Sequence, residues 1–199
     1  GALSIVSGAT GLPITNLTIG ALPFGAAAQG DRVFVALYGT NQLAVVNALS
    51  NTLTAVTATG IEPSLVVASA NRAYVTEHNH GAPSGVREFS LDGQSLAFIA
   101  TGRGPFGIAA DEAGSRLFVA HREGQTLVEV NTATRAISRT VALNFVPYAL
   151  AYNPTSGHLF IVAAGTNQAR VFDAQTLLPV TTLPIGAQDA NEGGQGIAL

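Results

Sequence analysis

Apolar runs of strand length alternate with polar, turn-forming clusters from one end of the chain to the other. Within residues 103–143 the runs fall at 106–110, 116–121, 126–131 and 136–143, and the clusters between them at 111–115, 122–125 and 132–135. β-branched and aromatic residues fill the runs, while Gly, Asn, Asp, Ser and Pro punctuate them. That pattern predicts strands joined by short turns. No stretch holds a 3.6-residue period over a helical length, so the expected class is all-β.

The pattern repeats. Prolines at Pro23, Pro63, Pro105 and Pro147 are spaced by 40, 42 and 42 residues. Aromatics inside an apolar run, at Phe34, Tyr74, Phe118 and Phe160, are spaced by 40, 44 and 42. A polar residue closing another run, at Ser7, Asn47, Ser90, Asn131 and Asp173, is spaced by 40, 43, 41 and 42. Three markers sharing one period define a repeat array. Four full units are expected at 21–60, 61–102, 103–143 and 144–186. Residues 1–20 match only the last two runs of a unit, and residues 187–199 only the first. A four-stranded unit of this length predicts a single β-propeller domain over 1–199, built of four-stranded antiparallel blades with a partial blade at each end. The first strand of each unit would line the central channel, which suits its small residues: Gly25-Ala-Ala-Ala28, Gly107-Ile-Ala-Ala110 and Ala149-Leu-Ala151.

The second run of each unit is the most regular: Asp31-Arg-Val-Phe-Val-Ala36, Asn71-Arg-Ala-Tyr-Val-Thr-Glu77, Ser115-Arg-Leu-Phe-Val-Ala120 and Gly157-His-Leu-Phe-Ile-Val162. With the Pro-aromatic-Gly start and the turns Ser7-Gly-Ala-Thr10, Asn131-Thr-Ala-Thr134 and Asp173-Ala-Gln-Thr176, the chain resembles the YVTN-type β-propeller repeat. Tyr74-Val75-Thr76 matches the name-giving residues, and Glu77 stands where that family has Asn. The resemblance covers essentially the whole chain. It implies the fold, and an extracytoplasmic, periplasmic or cell-surface binding or scaffold module of bacterial type; it is weakly specific for activity. The partial ends are expected either to share one blade of a five-bladed ring or to belong to a larger, seven-bladed propeller. The second reading is preferred, because Gly1 opens the chain without a leader and Leu199 closes it where a hairpin is due.

Composition narrows the function classes. The chain has 199 residues, a formal net charge of −3, no Cys, nine Arg and no Lys. Thiol and disulfide chemistry are excluded, and a broad nucleic-acid-binding surface is disfavoured. No nucleophile elbow, phosphate loop, CxxC or HExxH pattern is present, and Glu192-Gly-Gly-Gln-Gly196 lacks the following helix a nucleotide site needs. Asn16-Leu-Thr18 fits a glycosylation acceptor but lies in an expected strand.

Antiparallel order puts the loop before the first strand and the loop between the second and third at one end of the propeller. That end collects Glu62, Glu77, His78, His80, Arg103, His121, Arg122, Glu123, Asp189 and Glu192. Its longest loop is Glu77-His-Asn-His-Gly-Ala-Pro-Ser-Gly85, and long loops on a rigid scaffold often carry function. Glu77, His78, His80, Arg103, His121 and Arg122 are the candidate ligand-binding residues. His78, His80 and His121, with Glu77, would suit a divalent metal; the same loop also reads as a plain solvated one. Arg103 would hold an anion at the channel mouth or pair with Glu62 or Glu77. Arg32, Arg72 and Arg116, with His158 in their place in one unit, recur as scaffold residues. Two function classes follow. One is a non-catalytic module for a protein or cell-surface partner, or for further blades of the same propeller. The other is a metal-assisted hydrolase or lyase, or a propeller subunit of a periplasmic oxidoreductase, with its site on the 77–85 loop face.

Overall fold

A computed structural model describes residues 1–79, 83–111 and 113–185. Among them there is no helix, and so none long and apolar enough to cross a membrane. The first sheet is a hairpin, β1 (Ala2–Val6) with β2 (Pro13–Thr18). Four four-stranded sheets follow, each of consecutive antiparallel strands. The first holds β3 (Pro23–Gln29), β4 (Arg32–Leu37), β5 (Gln42–Asn47) and β6 (Thr52–Ala58). The second holds β7 (Pro63–Ser69), β8 (Arg72–Glu77), β9 (Gly85–Ser90) and β10 (Ser95–Ala100). The third holds β11 (Pro105–Ala110), β12 (Arg116–His121), β13 (Thr126–Asn131) and β14 (Ala136–Ala142). The fourth holds β15 (Pro147–Asn153), β16 (His158–Ala163), β17 (Gln168–Asp173) and β18 (Pro179–Pro184). Inner strands β3, β7, β11 and β15 lie side by side in that order, which is the arrangement of propeller blades about an axis.

The core sits between blades rather than within one. Phe34, Ala36, Leu43 and Val45 of the first blade pack on Val66, Ala73, Val75 and Phe89 of the second. Tyr74, Val86 and Ile99 then pack on Ile108, Leu117, Val119, Val128 and Val130. Phe118, Leu127 and Leu143 pack on Leu150, Leu159, Ile161 and Phe172. The hairpin covers the outer face of the first blade through Leu3, Leu17 and Ile19. Successive side chains of a strand point to opposite faces, so a middle strand between two neighbours must be apolar on both. This is why β4, β8 and β12 are continuous buried runs, whereas the outermost β6 and β14 are largely exposed.

Small residues of the inner strands serve blade-to-blade approach. A Cβ on Gly25 would stand 2.8 Å from Leu65 Cα, and one on Gly107 3.0 Å from Tyr148 O, both on the next blade's inner strand. Each inner strand also shifts register just after its proline, as between Pro23 and Ala26 or between Pro63 and Val66. The turns into the fourth strands are shaped by side-chain acceptors. Asn47 Oδ1 takes the N–H groups of Leu49 and Ser50, both at 2.9 Å, and Asp173 Oδ1 takes those of Gln175 and Thr176 at 3.0 and 2.7 Å.

The recurrent arginines carry two buried carboxylates. Arg72 Nε donates to Glu88 Oε1 at 2.9 Å, and Arg135 Nε, from the third blade, donates to Glu88 Oε2 at 2.7 Å. Glu129 is bonded by Ser138 and Arg139 and faces Arg116 at 3.7 Å. Burial raises the Glu129 pKa, but the Arg139 and Ser138 hydrogen bonds and the charges of Arg139 and Arg116 outweigh it and hold the carboxyl below its usual value. Arg116 and Arg139 also donate to the carbonyls of Ala174 and Gln175, tying the third blade to the fourth.

Candidate functional site

The end of the propeller bearing the blade-to-blade linkers gathers a row of charges. Glu62 precedes Pro63 with φ +56°. Its N–H donates to Asn41 Oδ1 at 2.9 Å, and its carbonyl accepts the His78 N–H at 3.3 Å. His78 Nδ1 lies 3.6 Å from Glu62 Oε2, and His78 Nε2 lies 3.5 Å from Glu123 Oε1. Glu123 Oε2 in turn accepts Arg103 at 3.2 Å. The imidazole is thus bracketed by two carboxylates, Glu62 from the linker into the second blade and Glu123 from the β12–β13 turn of the third. Gly104 makes this possible. It has φ +64°, and a Cβ there would stand 2.8 Å from Glu123 Cγ and 3.0 Å from His78 Nε2. Nearby, desolvation and then the hydrogen bond and charge of Glu62 raise the Tyr38 phenol above its ordinary value.

Beside this row is an aromatic cluster from the inner strands. The residue after each blade's proline is Phe24, Ser64, Phe106 or Tyr148. Phe106 and Tyr148 approach to 4.6 Å between ring centroids. Phe24, 52% exposed, reaches Phe106 edge-on at 5.8 Å, two blades away, because Ser64 between them is small. The Arg122 guanidinium lies over both Phe106 and Tyr148, at 5.1 and 5.0 Å. The edge of His78 meets Phe106 at 6.3 Å and joins the two groups.

The sequence candidates therefore divide. His78, Arg103 and Arg122 meet at this end with Glu62 and Glu123. Arg103 pairs with Glu123, not with Glu62 or Glu77 as expected, because Glu77 is taken up elsewhere. Glu77 is 1% exposed and faces the seam between the first and second blades. Arg87 holds it with two bonds, at 2.5 and 3.1 Å, and the Gly60 N–H donates to it at 2.7 Å. A Cβ on Gly60 would stand 2.8 Å from Glu77 Cδ, so the glycine makes room for the carboxylate. His121 is fully buried in the seam between the second and third blades, its Nε2 3.0 Å from Thr101 Oγ1. Desolvation lowers its pKa from 6.5 to about 4, the backbone of Thr126 opposing the shift. The residues corresponding to Glu77 and His121 in the first and fourth blades are Leu37 and Ala163, each paired in register with the inner-strand proline. This is a core position that two blades fill with polar groups.

Among the described residues no three His, Asp or Glu side chains are grouped to hold a metal. His80, Asp189 and Glu192 lie outside the described residues. Sequence reasoning passed over the aromatic cluster, although the Pro-aromatic repeat was its visible signal. It also passed over Glu88 and Glu129, whose positions in the first and fourth blades are Val45 and Val171.

No family model matches the chain, and no curated protein matches it. Solved structures do. Hydrazine synthase of Kuenenia stuttgartiensis is similar with a TM-score of 0.72 at 18% identity, over 82% of this chain and 49% of that one. Dihydro-heme d1 dehydrogenase NirN in complex with DHE gives 0.67 at 14%, over 92% and 41%. A nidogen/laminin complex gives 0.73 at 18%, over 92% and 72%. The chain spans about half the length of the first two. These likenesses show the fold: the chain is a β-propeller protein.

Proposed function

We propose that this propeller, of the YVTN type, works outside the cytoplasm as a non-catalytic binding or scaffold module. Residues 1–199 form its single domain, with residues 1–20 contributing to a further blade. Its protein or cell-surface partner docks on the end that carries Phe24, His78, Arg103, Arg122 and Glu123. The observation behind this reading is the aromatic–arginine cluster at that end. Interface centres are enriched in aromatic residues and Arg, and a guanidinium already held by two rings loses little freedom on binding. Half-exposed Phe24 and 85%-exposed Arg103 flank it. The polar groups best placed for catalysis are otherwise engaged: Glu77 by Arg87, and His121 by Thr101 within a seam. The nidogen/laminin structure shows that a fold of this shape occurs in a protein–protein complex.

The test compares wild type with the double variant Phe24→Ser and Arg122→Ala, in which Ser is the residue the second blade carries at that position. Extracts of producing cells are run by size-exclusion chromatography. Wild type should elute in a larger complex and the variant as the free chain, with both unfolding at similar temperatures. If both elute as the free chain, or both in the same complex, the docking reading fails.

A further inference from the structure

The repeat array provides its own control for one unusual site. Arg87 and Arg170 occupy the same place in the second and fourth blades. Each lies on the third strand, opposite Val75 or Ile161 of the second strand and opposite Phe98 or Thr182 of the fourth. Each guanidinium lies over a phenyl ring, Phe98 at 5.3 Å or Phe145 at 5.6 Å. In the second blade Arg87 is neutralised by Glu77, which also takes the Gly60 N–H. In the fourth blade the residue corresponding to Glu77 is Ala163, and the residue corresponding to Gly60 is Asn144. The carboxylate is missing and the arginine remains.

Arg170 has found only a partial substitute. One terminal nitrogen donates to Thr182 Oγ1 at 2.8 Å, while its Nε is buried without an acceptor among the described residues. It makes no ion pair among the described residues. The Asn144 N–H, standing where Gly60 donates to Glu77, takes no partner among the described residues. A guanidinium denied both counter-ion and full solvation is costly to keep. Beside Arg170 and Asn144 there is space: a groove of about 290 Å³ between β14 and β18, lined by these two with Leu143, Phe145, Phe172 and Val180 among others. That is near the small end of the roughly 300–1,000 Å³ typical of ligand pockets.

We infer that this groove between the third and fourth blades binds a small organic carboxylate. The carboxylate replaces the missing glutamate on Arg170 and the Asn144 N–H, and the ligand's apolar body lies against Phe145, Phe172 and Val180. The groove reaches the linker-bearing end through Asn144 and Phe145 but shares no residue with the docking cluster, and the inference stands or falls independently of it.

Benzoate is the probe, and benzamide its neutral counterpart of the same shape. The Nε–H resonances of the nine arginines are followed by NMR in the full chain, with Arg170 assigned by its loss in Arg170→Met. Saturable benzoate binding that moves the Arg170 resonance is expected, about tenfold or more tighter than benzamide, as a charge-assisted bond implies. Arg170→Met, which keeps the apolar wall, should abolish the preference for benzoate. Rebuilding the internal pair with Ala163→Glu and Asn144→Gly should block benzoate in a protein that still folds. The inference is overturned if benzoate does not saturate, if benzamide binds equally well, or if folded Arg170→Met keeps the preference.

Discussion

Acidification should unlock the seam between the second and third blades through His121. The imidazole is fully buried, and its folded-state pKa is about 4 against 6.5 when unfolded. Above pH 6.5 both states are neutral and the full stability is present. Between 6.5 and 4 the unfolded chain binds a proton that the folded chain refuses. Stability then falls by about 1.4 kcal/mol per pH unit, or roughly 3 kcal/mol over the window. From pH 7 to pH 5 the loss is about 2 kcal/mol, several degrees in Tm for a chain of this size. Asp111 and Glu129 have lowered folded pKa values, so their contributions also disappear on acidification. They do so only as the pH falls toward and through the usual carboxylate values of 3.8 and 4.5, which leaves pH 7 to 5 to the imidazole. The control is His121→Leu, because Leu37 fills the corresponding position in the first blade. It leaves the Thr101 hydroxyl unpaired, at a cost of about 1–3 kcal/mol at neutral pH. Calorimetric unfolding of both proteins at pH 7, 6 and 5 reads the difference. The wild type should lose stability faster than the variant, and the two should converge near pH 5. Parallel pH profiles would refute the assignment of a buried, neutral His121.

Other perturbations address neighbouring parts of the account. Glu77→Leu alone leaves Arg87 without its counter-ion in the first seam and should cost about 3–5 kcal/mol in urea unfolding. Adding Arg87→Ala reproduces the Leu37 and Ala44 pair of the first blade and should recover much of that loss; an additive double variant would contradict the pairing. Gly104→Ala forces a side chain into φ +64° and against Glu123 and His78. It should destabilise by about 1–3 kcal/mol and shift the His78 ring resonances, and an unchanged NMR spectrum would show that the bracketed imidazole does not depend on Gly104.

The blades were legible in the sequence because a strand covered on both faces must be apolar throughout, and four such strands recur with one period. The turns were legible for a local reason: Asn47, Asn131 and Asp173 bond their own backbone within three residues. The site was less legible because its chemistry depends on neighbours distant in sequence. Glu77 and His121 end their strands beside loop residues, and only the seam shows one locked to Arg87 and the other to Thr101. Arg122 looked like a loop cation until Phe106 and Tyr148, from two different blades, closed over it. The Arg170 groove required comparison of corresponding positions, since a missing partner leaves no motif.

Photo-cross-linking in producing cells tests the central claim most directly, with the reactive residue placed at position 24 and, separately, at position 49. Leu49 is 82% exposed on a turn at the opposite end of the propeller. The docking account predicts one discrete cross-linked partner from position 24, lost when Arg122→Ala is added, and none from position 49. Equal capture from both positions, or none from position 24, would contradict it.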